Sequence, residues 1–191
     1  MTDDIVIETD RLILRRWRDD DRAPFHRMGR DPEVMRWLGA LQSRAESDAM
    51  IDRCIACDEE HGHCFWALER KSDGALLGFC GIKRVKDDGI EPDPGTPEIG
   101  WRLRSDAWGK GYAKEAAVAS MDYAFDRTGA DFVTAFTVPG NSASWGLMER
   151  LGMTRRADLD YWNPEWSPKL GKGIVYRITP AEWTRKRKEL D

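Results

Sequence analysis

The stretch that decides the fold is "SDAWGKGYAKEAA", Ser105 to Ala117. Gly109 and Gly111 flank Lys110, and a run of helix-forming residues begins directly behind them. The preceding "EIGWRLRS" reads as a strand. The first amides of a helix lack internal partners, and the helix dipole adds partial positive charge there, so phosphate oxygens can satisfy them. Glycines let a pyrophosphate approach the backbone and can take positive φ, and Lys110 adds charge. The competing reading is a plain strand-to-helix turn that holds nothing. Two other phosphate motifs fail. A Walker loop needs Ser or Thr after the lysine, where Gly111 stands, and a dinucleotide fingerprint needs a third glycine where Lys114 stands.

Outward from this loop, "GYAKEAAVASMDYAFDRTG" predicts a helix with a seam of small residues, closed by Gly129. "DFVTAFTV" predicts a strand, "NSASWGLMERLG" a helix, and "IVYRITPAEW" a last strand running into a short helix. Upstream, "HCFWALERKSDGALLGFCGIKRV" predicts two strands turning at Asp73-Gly74. "IVIETDRLILRRW" is read as an opening strand, and "DRAPFHRMGRDPEVMRWLG" as helical turns broken at Pro32 with Asp31 as cap. "SRAESDAMIDRCIACDEEHG" is read as a further helix. The order predicts one domain over residues 1–191, an α/β (α+β) mixed sheet with helices on its faces.

Composition agrees with a packed domain: 41% apolar and 34% charged residues in a chain of 191. The net charge of −4 argues against a nucleic-acid binder. No secretory leader or membrane-length apolar run is present, so a soluble cytoplasmic protein that binds no membrane is expected. Cys54, Cys57 and Cys64 lie close to His61 and His63, which raises a zinc reading. No second ligand pair follows at zinc-finger spacing, and the favoured reading is two half-buried thiols on a helix, two loop histidines and no metal. The nine tryptophans are read chiefly as core, with some free to line a groove.

"WGKGYA" resembles the acetyl-CoA loop of the GNAT N-acetyltransferase superfamily, Gln/Arg-x-x-Gly-x-Gly/Ala. Gly111 and Ala113 match its small positions. Trp108 replaces the usual Gln or Arg, as is typical of the ribosomal-protein-alanine acetyltransferase (RimJ/RimL-type) branch. "ETDRLILRRWRDDD", "GALLGFCGI", "EIGWRL", "NSASWGLMERLGM" and "YRITPAEW" resemble other segments of that branch, so the likeness spans nearly the whole chain. It implies a GNAT fold with splayed central strands and acetyl-CoA as co-substrate. The backbone of Arg102, Leu103 and Arg104 would line the pantetheine arm. Trp108, Gly109, Lys110, Gly111, Tyr112 and Ala113 would hold the pyrophosphate, and Asn141 and Ser144 would reach the arm.

The resemblance also implies direct acetyl transfer to a primary amine, either a protein N-terminus or a peptide or small-molecule amine. Glu98, ten residues before Trp108, is the candidate base. Strand alternation puts Glu98, Gly100 and Arg102 on one face. The tyrosine that many relatives use as acid is replaced by Met148, so Ser144 is the expected hydrogen-bond donor to the departing sulfur. Helix capping is the competing role for Asn141 and Ser144. The acceptor groove would be framed by the first helices and by "YWNPEWSPKLGKG", with Arg36, Trp37, Tyr161, Trp162 and Trp166 as lining candidates. Gly173 stands where related sequences often carry His. A homodimer is an expectation by analogy alone. The alternative function is a non-catalytic acyl-CoA-binding module.

Overall fold

The computed structural model describes residues 4–190. Met1–Asp3, where the leader reading begins, and Asp191 lie outside the described residues. Eight strands form a mixed sheet in the order β1-β2-β3-β4-β5-β6-β8-β7: β1 Ile5–Glu8, β2 Leu12–Arg15, β3 Phe65–Arg70, β4 Ala75–Arg84, β5 Pro97–Leu103, β6 Val133–Thr137, β7 Thr154–Arg155 and β8 Ile174–Ile178. The helices are α1 Arg22–Gly29, α2 Pro32–Met35, α3 Arg44–His61, α4 Tyr112–Thr128, α5 Ser142–Arg150, α6 Ser167–Leu170 and α7 Pro180–Leu190. Contacts divide the chain into two compact units, Met1–Lys83 with Gly100–Ser120, and Arg84–Ile99 with Met121–Asp191.

In the first unit, β1 to β4 form an antiparallel ladder. The expected single opening strand is two strands. Thr9 folds the chain back, its amide donating to the Leu12 carbonyl at 3.0 Å and its hydroxyl oxygen accepting from the Leu12 amide at 3.1 Å. Asp73-Gly74 turns β3 into β4 as predicted, with Gly74 at φ 67°. Asp31 caps α2 by accepting from the Glu33 amide at 2.9 Å. Ser43 and Glu46 form a capping box at α3, and Gly62 ends that helix in the left-handed conformation. Trp17, Phe25, Met28, Ile51, Phe65 and Phe79 belong to one buried cluster of this unit. The Arg15 guanidinium is also buried here, answered by Asp21 at 2.7 and 2.8 Å and by Glu69 at 2.6 Å.

In the second unit, β5 runs parallel to β6 at Glu98 and Thr134, and β6 and β7 lie antiparallel to β8. Leu147, Met148, Leu151, Val175 and Ile178 are buried. Three of the nine tryptophans are buried and two stand exposed. Trp17, Trp66 and Trp183 are buried with bonded indoles, to the Phe65 carbonyl, Asp58 and Asp122, whereas Trp108 and Trp162 are 49% and 55% exposed.

Candidate functional site

β5 ends at Leu103, a single 3-10 turn spans Ser105–Ala107, and α4 begins at Tyr112. Gly109 and Gly111 both adopt positive φ, 71° and 81°, which any other residue adopts only at a cost. The amides of Gly111, Tyr112 and Ala113 have no acceptor among the described residues. Three successive donors at the head of a 17-residue helix form a cradle for an anion, and the residues present fit a diphosphate. Trp108 turns its indole N–H to the Leu103 carbonyl at 2.9 Å and leaves its ring exposed beside the loop. Lys110 spans the loop, its Nζ donating to the Asp106 carbonyl at 2.8 Å.

What holds this loop is a pair of residues whose role the sequence reading did not anticipate. Arg11, at the head of β2, donates from Nη1 to the Lys110 carbonyl at 3.0 Å and from Nε to Glu115 Oε2 at 2.6 Å, and it stacks on the Tyr112 ring at 4.7 Å. The Arg11 amide and the Thr9 hydroxyl donate to Glu115 Oε1 at 3.0 and 2.6 Å. Burial acts against the Glu115 charge, but these bonds outweigh it and hold its carboxyl below the usual range. A depressed carboxylate pKa contributes stability above the unfolded value, about 4.3, and loses it as pH falls through the folded value. Glu115→Gln should therefore cost on the order of 1 kcal/mol at pH 7, about 2–4 °C in Tm. Thermal unfolding from pH 7 to 3 should show the two proteins converging in acid.

One expectation is corrected by the direction of the β5 backbone. The Arg104 amide donates to the Leu77 carbonyl on β4 at 2.8 Å, and the Arg102 carbonyl lies over Gly78, where a side chain would meet it. Main-chain groups alternate along a strand, so Arg102 and Arg104 address β4, while Trp101 and Leu103 address the other edge. The main-chain groups of Arg102 and Arg104, expected to line the arm, are thus turned to β4, and those on the other edge are Trp101 and Leu103. Beside these strands α1 contributes to a cavity of about 320 Å³, lined by Phe25, Met28, Asp31, Leu76, Gly78 and Ser105 among others. Asp31 accepts from the Ser105 hydroxyl at 2.5 Å, and this bond holds its carboxyl below the usual range.

In the second unit Glu98 is partly buried on β5. Tyr161 is a further residue of this region. Burial first, then the charges of Glu91, Glu98 and Asp88, push its phenol pKa up. Its ring packs edge-on against Phe136 at 5.5 Å and Trp166 at 5.9 Å. Tyr161 and Gly173 exchange backbone hydrogen bonds, and a Cβ at Gly173 would stand 2.4 Å from the Tyr161 ring. That contact is the physical reason for glycine at this position. Asn141 caps α5, its Oδ1 accepting from the Ser144 amide at 3.4 Å. The capping role is therefore real, yet Asn141 Nδ2 and the Ser144 hydroxyl donate to no acceptor among the described residues. Met148, in the tyrosine's place, is buried.

The cysteines are not arranged for nucleophilic work. A hydrogen bond with Cys54, together with burial, pushes the Cys64 thiol to about 12, and burial alone does the same to Cys80. His63 is a loop residue between α3 and β3, as expected, and is buried with Nδ1 at 3.0 Å from the Ile82 carbonyl, whereas His61 is the last residue of α3. Among the described residues no cluster of His, Cys, Asp and Glu could hold a metal ion, and no helix is long and apolar enough to cross a membrane.

Residues 11–154 match the family model of the acetyltransferase (GNAT) domain. The chain belongs to the GNAT acetyltransferase family. The matched span includes the loop and strands β2 to β6, and the membership makes the protein an acyltransferase. The FsC-acetyl coenzyme A-N(2)-transacetylase of Aspergillus fumigatus is 36% identical over 194 residues, covering 96% of this chain and 80% of that protein. The uncharacterized protein YkkB of Bacillus subtilis is 32% identical over 158 residues, covering 81% of this chain and 88% of that one. A crystal structure of an acetyltransferase from Agrobacterium tumefaciens superposes with a TM-score of 0.75 at 26% identity, covering 90% of this chain and 92% of that one.

Proposed function

We propose that this GNAT acetyltransferase is of the RimJ/RimL type and transfers an acetyl group from acetyl-CoA directly to a primary amine. The observation that carries the reading is the row of unpartnered amides at Gly111, Tyr112 and Ala113, behind two left-handed glycines. Bound acetyl-CoA would supply an activated acyl group on sulfur. The loop would grip its diphosphate, with Trp108 packing beside it, and the outward main-chain groups of Trp101 and Leu103 would line its arm. Glu98 would take a proton from the bound ammonium, so that the uncharged amine attacks the acetyl carbonyl. Asn141 Nδ2 would orient the arm, and the Ser144 hydroxyl would donate to the sulfur as it departs. A thiolate is a stable anion with pKa about 8.5, so a hydrogen bond suffices where an acid is missing.

The test is thiol release from acetyl-CoA with a panel of amines that compares α-amines with lysine side chains. An α-amine, with pKa about 7.7–8.0, needs less help from a base than a lysine at about 10.4. Glu98→Gln should lower kcat about a hundredfold at pH 7, with the deficit shrinking as pH approaches the pKa of the amine. Binding of coenzyme A with no amine consumed would overturn the catalytic reading in favour of a binding module.

A further inference from the structure

One charge in the first unit has no part in that chemistry. The Arg102 side chain leaves β5 on the side of the Phe79 ring, its guanidinium carbon 5.4 Å from the ring centroid. Phe79 in turn stacks on Phe65 at 5.0 Å. Nη1 donates to Gln42 Oε1, a long bond of 3.4 Å. Gln42 is itself held by its amide on the Gly29 carbonyl at 2.9 Å. Gly29 makes room for it, since a Cβ there would stand 2.7 Å from Gln42 Oε1. Arg102 Nε is closed off from solvent without a hydrogen-bond partner among the described residues, and Nη2 has none either. No carboxylate of the described residues pairs with this guanidinium. Burial pulls its pKa down to about 10, which still leaves it charged at neutral pH.

Arg15, the fully buried arginine of the same unit, is fully answered. Arg15 faces Asp21 with both terminal nitrogens and Glu69 with Nε. Arg102 has an aromatic floor and one neutral amide. A buried charge without a counter-ion is costly, and an anion brought by a ligand offsets that cost. Nε is closed off from solvent, so the edge left for an anion is the Nη1 and Nη2 end, whose parallel N–H groups are spaced for the two oxygens of a planar carboxylate. The ring face beneath fixes the plane in which that carboxylate must lie.

Resting on the acetyltransferase reading above, we infer that Arg102 is the specificity-determining residue for the acceptor. Its guanidinium recognises a free carboxylate, so the favoured substrates are amines that carry one, amino acids and short peptides, over their uncharged counterparts. The elements around Arg102 are α1, Gln42 before α3, and β4, which include the first helices expected to frame the acceptor.

The experiment compares kcat/KM for L-alanine, L-lysine and alanylalanine with their carboxamides at fixed acetyl-CoA. The wild-type protein should favour the acids on the order of a hundredfold. Arg102→Gln should bring the acid-to-amide ratio close to one. Arg102→Lys, which keeps charge but loses the fork, should leave a ratio of about ten. A readout free of turnover is the 15N resonance of the Arg102 Nε–H group in wild-type protein, which should move with the acids and not with the amides. If no amine is acetylated, that resonance still decides the carboxylate site while the catalytic reading alone falls. A wild-type ratio near one, or a ratio unchanged in Arg102→Gln, overturns the inference. So does a resonance that answers coenzyme A but no acid, since the anion is then a donor phosphate. Because the charge lacks a counter-ion, Arg102→Gln without ligand should melt no lower than wild type. A fall of about 10 °C would make Arg102 a structural strut and overturn the inference.

Discussion

Gly111→Val yields a folded protein that no longer retains acetyl-CoA. Gly111 sits at φ 81°, a region a β-branched residue enters only under strain, on the order of 1–3 kcal/mol. A Cβ would also stand 3.3 Å from Arg11 Nη2, the guanidinium that ties the loop to Glu115. The valine therefore twists the amides of Gly111 and Tyr112 out of line and pushes on the clamp that holds them. Each bond from an amide to a charged phosphate contributes about 1.5–3 kcal/mol, so losing two weakens binding about a thousandfold. Calorimetric titration with coenzyme A reads this directly, and Tm should fall only a few degrees. Gly109→Ala is the milder comparison. Its φ is 71°, but a Cβ there meets nothing within 4 Å, so the cost is backbone strain of about 1–2 kcal/mol and a loss near tenfold. Wild-type affinity in Gly111→Val would mean that the diphosphate rests elsewhere.

That loop was legible because its signal is local. Glycines, a preceding strand and an abrupt helix fall within a dozen residues, and each obeys a rule that needs no partner. The same holds for the Asp73-Gly74 hairpin and the Pro32 helix start. The restraint on the loop was not legible. Arg11 and Glu115 meet across 104 positions, and neither belongs to a periodic pattern. Nor did the alternation in "IVIETDRLILRRW" reveal that Thr9 folds one strand into two, because each half keeps its own period across the turn. Side-chain alternation assigned Glu98, Gly100 and Arg102 to one face of β5. Which neighbour the backbone groups address is set by the register with β4, and that is why Arg102 and Arg104 turn to β4 while Trp101 and Leu103 face the other edge. Capping at Asn141 uses Oδ1 and leaves Nδ2 available for the proposed contact with the arm, so the one role does not exclude the other.

The register that corrects β5 also identifies the position where the fold is least tolerant. Gly78 on β4 has φ 140°, and a Cβ there would stand 2.0 Å from the Arg102 carbonyl oxygen and 3.0 Å from the Arg102 carbonyl carbon and Leu103 Cα. All three are backbone atoms, so no rotamer change makes room. Gly78→Ala must push β5 away from β4 and stretch the bond from the Arg104 amide to the Leu77 carbonyl. Overpacking costs about 1–3 kcal/mol and a strained φ about 1–3 more, which together amount to a large share of the stability of a domain this size. The expected result is a Tm lower by about 10 °C, or a protein recovered only as aggregate, with catalysis lost in step with folding. Gly100→Ala separates this from crowding in general. There the nearest atoms belong to the Phe65 ring, at 2.6 and 2.8 Å, and a side chain can shift where a carbonyl in a ladder cannot. Gly100→Ala should therefore stay soluble and melt above Gly78→Ala. If Gly78→Ala instead melts within about 2 °C of wild type, β4 and β5 do not approach as closely as described, and the assignment of Trp101 and Leu103 to the outer edge falls with that contact.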